Sequence, residues 1–392
     1  MNTQRLLAEI AEQFGHPVSE ELAVALREVP RHRFLPETVW VRDGRGGYRP
    51  IDRVTDPEQW MAAAYEDQTL VTQFTDGLPS SSASMPSMVL RMLRLAKVIT
   101  PARNEQQPFK VIELGTGAGF NAALLCALLG SGAVTTVELD PVLAEQGERN
   151  LKATGYAPAV VRGDAGKGWP DSAPYARVLA TFSVDRVPPA WLTQTMPGGR
   201  IVTPWTSSWC CYGTLALTIG ASGTAEGRFH DFASFMPMRP SVEEPPPNGD
   251  RGRPAPVPDP VPEVRSVTEV SPWAVAGGDL DAEFHIGLTV PGAFFSWDTT
   301  GEHVPVRLRV GDRTSTSWAT VDFDGTHTTE FTLTQAGPRH LWTEITAAYA
   351  AWESNGRPGV GRHGLTVHGD GRHTLWLDSP DHPLTPFGRT PR

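Results

Sequence analysis

Apolar positions in the first 240 residues switch between two spacings. The segment MNTQRLLAEIAEQFGH repeats its apolar residues near every 3.6 positions and predicts an amphipathic helix over 4–14. Further helices are expected over 20–27 and over 86–95, where Pro86 suits a first helical turn. Residues 120–129 place Phe120, Leu124 and Leu128 on one helical face, and 141–154 continue as a helix. Short apolar runs over 110–114, 134–139, 177–180 and 200–204 read as buried strands between these helices. Alternation of this kind requires a parallel α/β sheet.

The pattern changes after a segment from 239 to 264 that is dense in proline and scattered charge, with little apolar to bury. It reads as an extended connector. Beyond it, VRLRV, ATVDFDG and GLTVHGDGRHTLWLDS alternate in the manner of strands, with Asp324-Gly325 and Asp370-Gly371 as hairpin-type turns. A helix over 339–353 carries Leu341, Ile345, Tyr349 and Trp352 at helical spacing. The expected division is therefore 1–238, a linker 239–264, and a smaller α+β domain 265–392. A length of 392 residues also favours two units over one.

Composition narrows the function classes. Hydrophobic residues make up 40% and charged residues 20%, and no apolar run approaches a membrane span. The N-terminus lacks a signal-peptide pattern, so a cytoplasmic protein, acting as a monomer or weak dimer, is expected. The net charge of -10 disfavours a nucleic-acid partner, which would call for a basic face. Three cysteines, Cys126, Cys210 and Cys211, supply neither a disulfide framework nor a zinc site, and no HExxH pair occurs; no metal is expected.

The candidate chemistry lies where the strand at 110–114 runs into Gly115, Gly117 and Gly119. A strand, a bare turn and a helix together offer backbone N–H groups and a positive helix end to a ligand. The GxGxG spacing differs from the GxGxxG of pyrophosphate binders. The next strand ends in Glu138, where ribose hydroxyls lie in doubly wound sheets, and Asp164 in Gly163-Asp164-Ala165 can accept from an adenine amino group. Three such loops in this order suit S-adenosyl-L-methionine. Glu138 and Asp164 are equally readable as exposed loop acids.

From Val29 to about Pro204 the chain resembles protein-L-isoaspartate O-methyltransferases. The pieces that carry the resemblance are VPRHRFLPE (29–37), AYED (64–67), SASMPSMVLRML (82–93), VIELGTGAGFNAALL, VELDPVLAEQGERNLKATGY, GDAGKGWPDSAPYARV and MPGGRIVTP. The resemblance implies a Rossmann-like, seven-stranded methyltransferase sheet with S-adenosyl-L-methionine as cofactor. It adds Glu113, Thr116, Asn121, Leu139 and Ala165 to the cofactor set. It makes Ser84 the catalytic hydroxyl and puts Ser82, Ala83 and Met85 beside the substrate. A serine in front of a helix also serves as a cap, and that reading of Ser84 stays open. His32 in VPRH reads as an orienting residue and not as a base. The chain departs from the family in its expanded stretch 68–85, in Met85 where Gln or Ala is usual, and in Ser87 where Tyr or His is frequent.

The segment GPRHLWTEITAAYAAWESNGRPG…HGLTVHGDGRHTLWLDSP is similar to the C-terminal extension of homologues that modify ribosomally made peptides, an extension absent from ordinary repair enzymes. This resemblance implies methylation of an aspartate in an already crosslinked precursor peptide, leading to aspartimide or isoaspartate. Trp342, Trp352, Trp376 and the basic Arg357, Arg362 and Arg372 are candidate peptide contacts, although core packing and solvated charge account for them as well. General isoaspartate repair is the alternative substrate reading; a catalytically silent peptide-binding protein is the alternative from another class.

Overall fold

A computed structural model describes residues 2–99, 109–210, 212–239, 263–301, 304–313 and 316–387. Nearly all of the proline-dense linker, and Cys211, lie outside the described residues.

The chain opens with helices Asn2–Phe14 and Glu20–Glu28, whose buried Leu6, Ile10, Leu22 and Leu26 pack toward the main sheet. A small antiparallel sheet follows: β1 (Thr38–Arg42), β2 (Tyr48–Asp52), β3 (Leu70–Thr75) and β4 (Leu78–Ala83), in the order β2-β1-β3-β4. The expanded stretch 68–85 is thus a β-hairpin, β3–β4, which delivers Ser84 to the head of helix Pro86–Leu95.

The main sheet is built from β5 (Val111–Leu114), β6 (Val134–Glu138), β7 (Ala159–Arg162), β8 (Tyr175–Ala180), β9 (Thr195–Pro204), β10 (Tyr212–Ile219) and β11 (Ala225–Ser234). Pairing is parallel from β7 through β6, β5 and β8 to β9, and antiparallel from there to β10 and β11. Every residue of β5 and β6 is buried, as strands covered by helices on both faces require. Strand order turns at β5, which has β6 on one side and β8 on the other, and such a reversal opens a crevice at the carboxyl ends of the strands.

After the linker, β12 (Val264–Thr268), β13 (Ala293–Asp298), β14 (Val306–Asp312), β15 (Trp318–Phe323) and β16 (Phe331–Ala336) form a third sheet in the order β12-β16-β15-β14-β13. Helices Leu280–Thr289 and Leu341–Ser354 accompany it. The last hairpin, β17 (His363–Val367) and β18 (His373–Leu377), leaves that sheet and pairs with β11, so the main sheet has nine strands. The division expected at 265 therefore does not coincide with a break between sheets. One apolar core runs from the methyltransferase-like strands into the C-terminal helices: Phe229 of β11 meets Trp205 at 5.5 Å and Phe284 at 5.1 Å between ring centroids. His285 and His363 share a 2.9 Å hydrogen bond in the same region.

Trp342, Trp352 and Trp376 are all buried, so core packing accounts for them and none is free to meet a peptide. Arg357 and Arg362 are paired with Glu353 and Asp378, and Arg372 lies 3.8 Å from Asp370.

Candidate active site

Gly115, Gly117 and Gly119 all adopt positive φ, which bends the chain sharply between β5 and helix Phe120–Leu129. Their duties differ. A Cβ on Gly117 would have only Ser81 Oγ within reach, at 3.8 Å, so this position opens into the cavity and a ligand can come against bare backbone. A Cβ on Gly119 would lie 3.1 Å from the Gly147 carbonyl, so Gly119 serves the packing of two helices and stands outside the cavity wall. Thr181 at the end of β8 fixes the loop from below, its hydroxyl donating to the Gly115 carbonyl at 2.7 Å.

Glu138, at the end of β6, accepts the Gly117 N–H at 2.8 Å and the Asp140 N–H at 3.1 Å. It is buried at the cavity wall with Leu139, not exposed on a loop. Asp164 also lines the cavity; one oxygen takes the Gly166 N–H at 2.8 Å and shapes the turn that carries Ala165. Glu113 is fully buried under the glycines. It accepts from Asn121 at 2.7 Å and from Thr136 at 2.5 Å, and Thr136 also meets Thr116 at 2.7 Å. Burial raises the Glu113 pKa to about 7 against the pull of those two donors, with the neighbouring Glu138 charge adding to the rise.

On the opposite wall, β4 lines the cavity with Ser80, Ser82 and Ala83, and Ser84 completes it. Helix Pro86–Leu95 is not capped by Ser84: its N-cap position is Met85, and the Ser87 N–H is taken instead by Asp67 at 2.8 Å. Met85 does not line the cavity. His32 meets the Tyr65 hydroxyl at 2.7 Å, outside the cavity, and burial lowers its pKa.

A fourth wall has no forerunner in the sequence pattern. After β11, Met236, Pro237, Met238 and Arg239 run along the cavity, held by Ser183 through two 2.8 Å backbone bonds. The Arg239 guanidinium reaches the Ser80 carbonyl, Gln73 at 3.4 Å and Asp140 at 3.5 Å, joining the β3–β4 hairpin to the head of helix Pro141–Ala153. Burial pushes the Asp140 pKa up, but Gln73, the Leu143 and Val142 N–H groups and Arg239 outweigh it and hold the carboxyl below its ordinary range. No grouping of His, Cys, Asp and Glu fit for a metal ion occurs among the described residues. No described helix is long and apolar enough to cross a membrane.

A bare-backbone loop, a carboxylate at the end of the adjacent strand and a third acidic turn now surround one cavity. The profile of the protein-L-isoaspartate(D-aspartate) O-methyltransferase family matches residues 48–209. A protein-L-isoaspartate O-methyltransferase of Ignicoccus hospitalis is 34% identical over 192 residues, which are 48% of this chain and 75% of that protein. The chain belongs to the protein-L-isoaspartate O-methyltransferase family. The corresponding protein of Gloeobacter violaceus is 33% identical over 187 residues, 47% of this chain and 74% of the relative. This methyltransferase is accordingly an S-adenosyl-L-methionine-dependent protein carboxyl methyltransferase. A solved protein-L-isoaspartate O-methyltransferase shares its fold with a TM-score of 0.54 and 20% identity, over 96% of this chain and all of that one. That span takes in the region beyond the linker.

The cavity fits the cofactor: Gly117 leaves room for it, and Glu138 and Asp164 present acceptors at two separate turns.

Proposed function

We propose that this methyltransferase esterifies an aspartate-type side-chain carboxyl in a ribosomally synthesised, already crosslinked peptide, from which an aspartimide or isoaspartate forms. The observation that carries the chemistry is the delivery of Ser84 by the β3–β4 hairpin to the cavity that the glycine loop lines. The cofactor supplies an electrophilic methyl group on a positively charged sulfur. A carboxylate is ionised at neutral pH and attacks without a base. The protein's part is to hold one carboxylate oxygen in line with the methyl carbon and to bind the other. Ser84 is assigned to that other oxygen, because its hydroxyl is not consumed by capping the helix. Ser82 and Ala83 flank the substrate, and Gly117, Glu138 and Asp164 hold the cofactor, with Glu113, Thr116 and Asn121 bracing the loop from beneath. Once the ester forms, the next backbone nitrogen attacks it, expels methanol and closes the succinimide ring.

The narrower substrate rests on the resemblance of the C-terminal segment. Selectivity for one aspartate among many must come from contacts remote from the reacting group. General isoaspartate repair is the second reading, favoured by the solved repair-family structure that matches the extension as well. Incubation with an isoaspartyl peptide and, separately, with a crosslinked ribosomal peptide that carries an aspartate distinguishes the two. Mass spectrometry should show gain of a methyl or loss of water on the precursor; rapid turnover of the isoaspartyl peptide with an inert precursor would establish repair.

A further inference from the structure

We propose that Arg31 is a positioning residue for methyl transfer, acting through Ser84. The proposal rests on the role assigned to Ser84 above. The Arg31 side chain is 1% exposed, yet among the described residues it forms no ion pair at bonding distance. Instead its two terminal nitrogens donate to five backbone carbonyls: Ala64 at 3.2 Å, Glu66 at 3.3 Å, Gln68 at 2.9 Å, Ala83 at 3.2 Å and Ser84 at 3.0 Å. Three of these span the last residue of helix Pro57–Ala64 and the turn after it, and two lie where β4 ends and the chain passes to the next helix. One guanidinium therefore clamps the cavity wall to a turn that is far from it in sequence.

The same turn grips the other end of the Ser84–Ser87 stretch. Asp67 accepts the Ser87 N–H, and its charge offsets that of Arg31, which burial lowers to a pKa of about 10. Ser84 is thus fixed on its carbonyl side by Arg31, and three residues later the N–H of Ser87 is fixed by Asp67. Between them the backbone has little freedom, so the hydroxyl is presented at a set depth in the cavity. A guanidinium suits this work because it fans several donors from one rigid plane; an ammonium of equal charge cannot span both segments. Burying a cation so deeply is costly, and the five carbonyl bonds offset that cost. Rate depends steeply on sub-ångström placement, which gives such a clamp its use.

Arg31→Lys should lower kcat about ten- to a hundredfold while the affinity for S-adenosylhomocysteine stays within about twofold. The deciding measurement is coupling to Ser84. If Arg31 acts through that hydroxyl, Arg31→Lys should cost little more in the Ser84→Ala background than Ser84→Ala already does. Additive losses, or a parallel loss of cofactor affinity, would overturn the proposal and leave Arg31 a structural residue. Asp67→Ala frees the far end of the same stretch and should show the same coupling; it serves if Arg31→Lys does not fold. Hydrogen exchange gives a readout without substrate: the amides of Ser84, Met85 and Ser87 should exchange faster in either variant while those of 113–121 do not, and equal acceleration of both would contradict the proposal. A silent Ser84→Ala in the native background would instead refute the role assigned to Ser84 itself.

Discussion

Glu138 accepts the backbone N–H of Gly117 at 2.8 Å, so the carboxylate closing β6 and the barest residue of the glycine loop are parts of one unit. A hydrogen bond to a charged group contributes about 1.5–3 kcal/mol. Glu138→Ala removes this brace together with the acceptor proposed for a ribose, and should weaken S-adenosylhomocysteine binding about 10- to 100-fold by calorimetry. Asp164→Ala should lose less, because Asp164 braces the Gly166 N–H within its own turn and not the glycine loop.

Ser84→Ala should leave cofactor affinity near its native value and lower kcat about 10- to 100-fold, the loss of one preorganised donor. Single-turnover methylation of the better peptide substrate measures this. Equal rates would mean that a backbone N–H binds the second carboxylate oxygen.

Arg239 is partly exposed, and its contacts with Gln73, Ser80 and Asp140 are individually weak. Arg239→Ala should therefore speed S-adenosylhomocysteine release only a few-fold, about 1 kcal/mol, with little change in thermal stability. Stopped-flow displacement reads the rate, and an unchanged value would show that the strap stays shut without its arginine.

Stability should depend on pH in two opposite ways. Glu113 is raised to about 7 from an ordinary 4.5, so the fold favours its protonated form. Its favourable contribution is complete below about pH 4.5 and is lost as pH rises through about 7. His285 and His363 are lowered by burial to about 3 and about 4 from 6.5, so their contribution is complete above about pH 6.5 and drains away as pH falls. Melting temperatures of ligand-free Glu113→Gln should decline less than native between about pH 5 and 7, and His363→Gln should flatten the acid limb. Parallel profiles for variants and native protein would contradict both.

Removing residues 263–392 strips β17 from β11 and uncovers Phe229 and Trp205. An unpaired strand edge beside exposed aromatics promotes association. The shortened chain should aggregate or melt well below the full chain in scattering and thermal scans, whereas a soluble monomer of native stability would show that the main sheet needs no such cover.

Much of the main sheet was legible. Helices 86–95 and 120–129 were bounded as observed, and β5, β6, β8 and β9 were located, because long apolar runs end at glycine, proline or aspartate there. The β1–β4 sheet was not, since YRPID and LPSSSA carry little of the alternation that marks a half-buried strand. The glycines and acids of the cavity could be read from local spacing. Arg31, Asp67 and Thr136 could not: each acts on residues distant in sequence, and VPRH drew attention to histidine when the working side chain was the arginine before it. AYED was visible as a motif, but only the fold brings its last residue to the Ser87 amide. The strap at 236–239 was missed because a short segment after a strand carries no periodicity.

The strap also sets an order of events as the protein is made. The glycine loop, Glu138 and Asp164 leave the ribosome well before Met236 to Arg239, and the hairpin β17–β18 emerges later than both. A nascent chain that has formed β5 to β8 therefore holds a cofactor cleft with one side missing. A cleft without the 236–239 wall should hold the methyl donor less tightly than the finished molecule does.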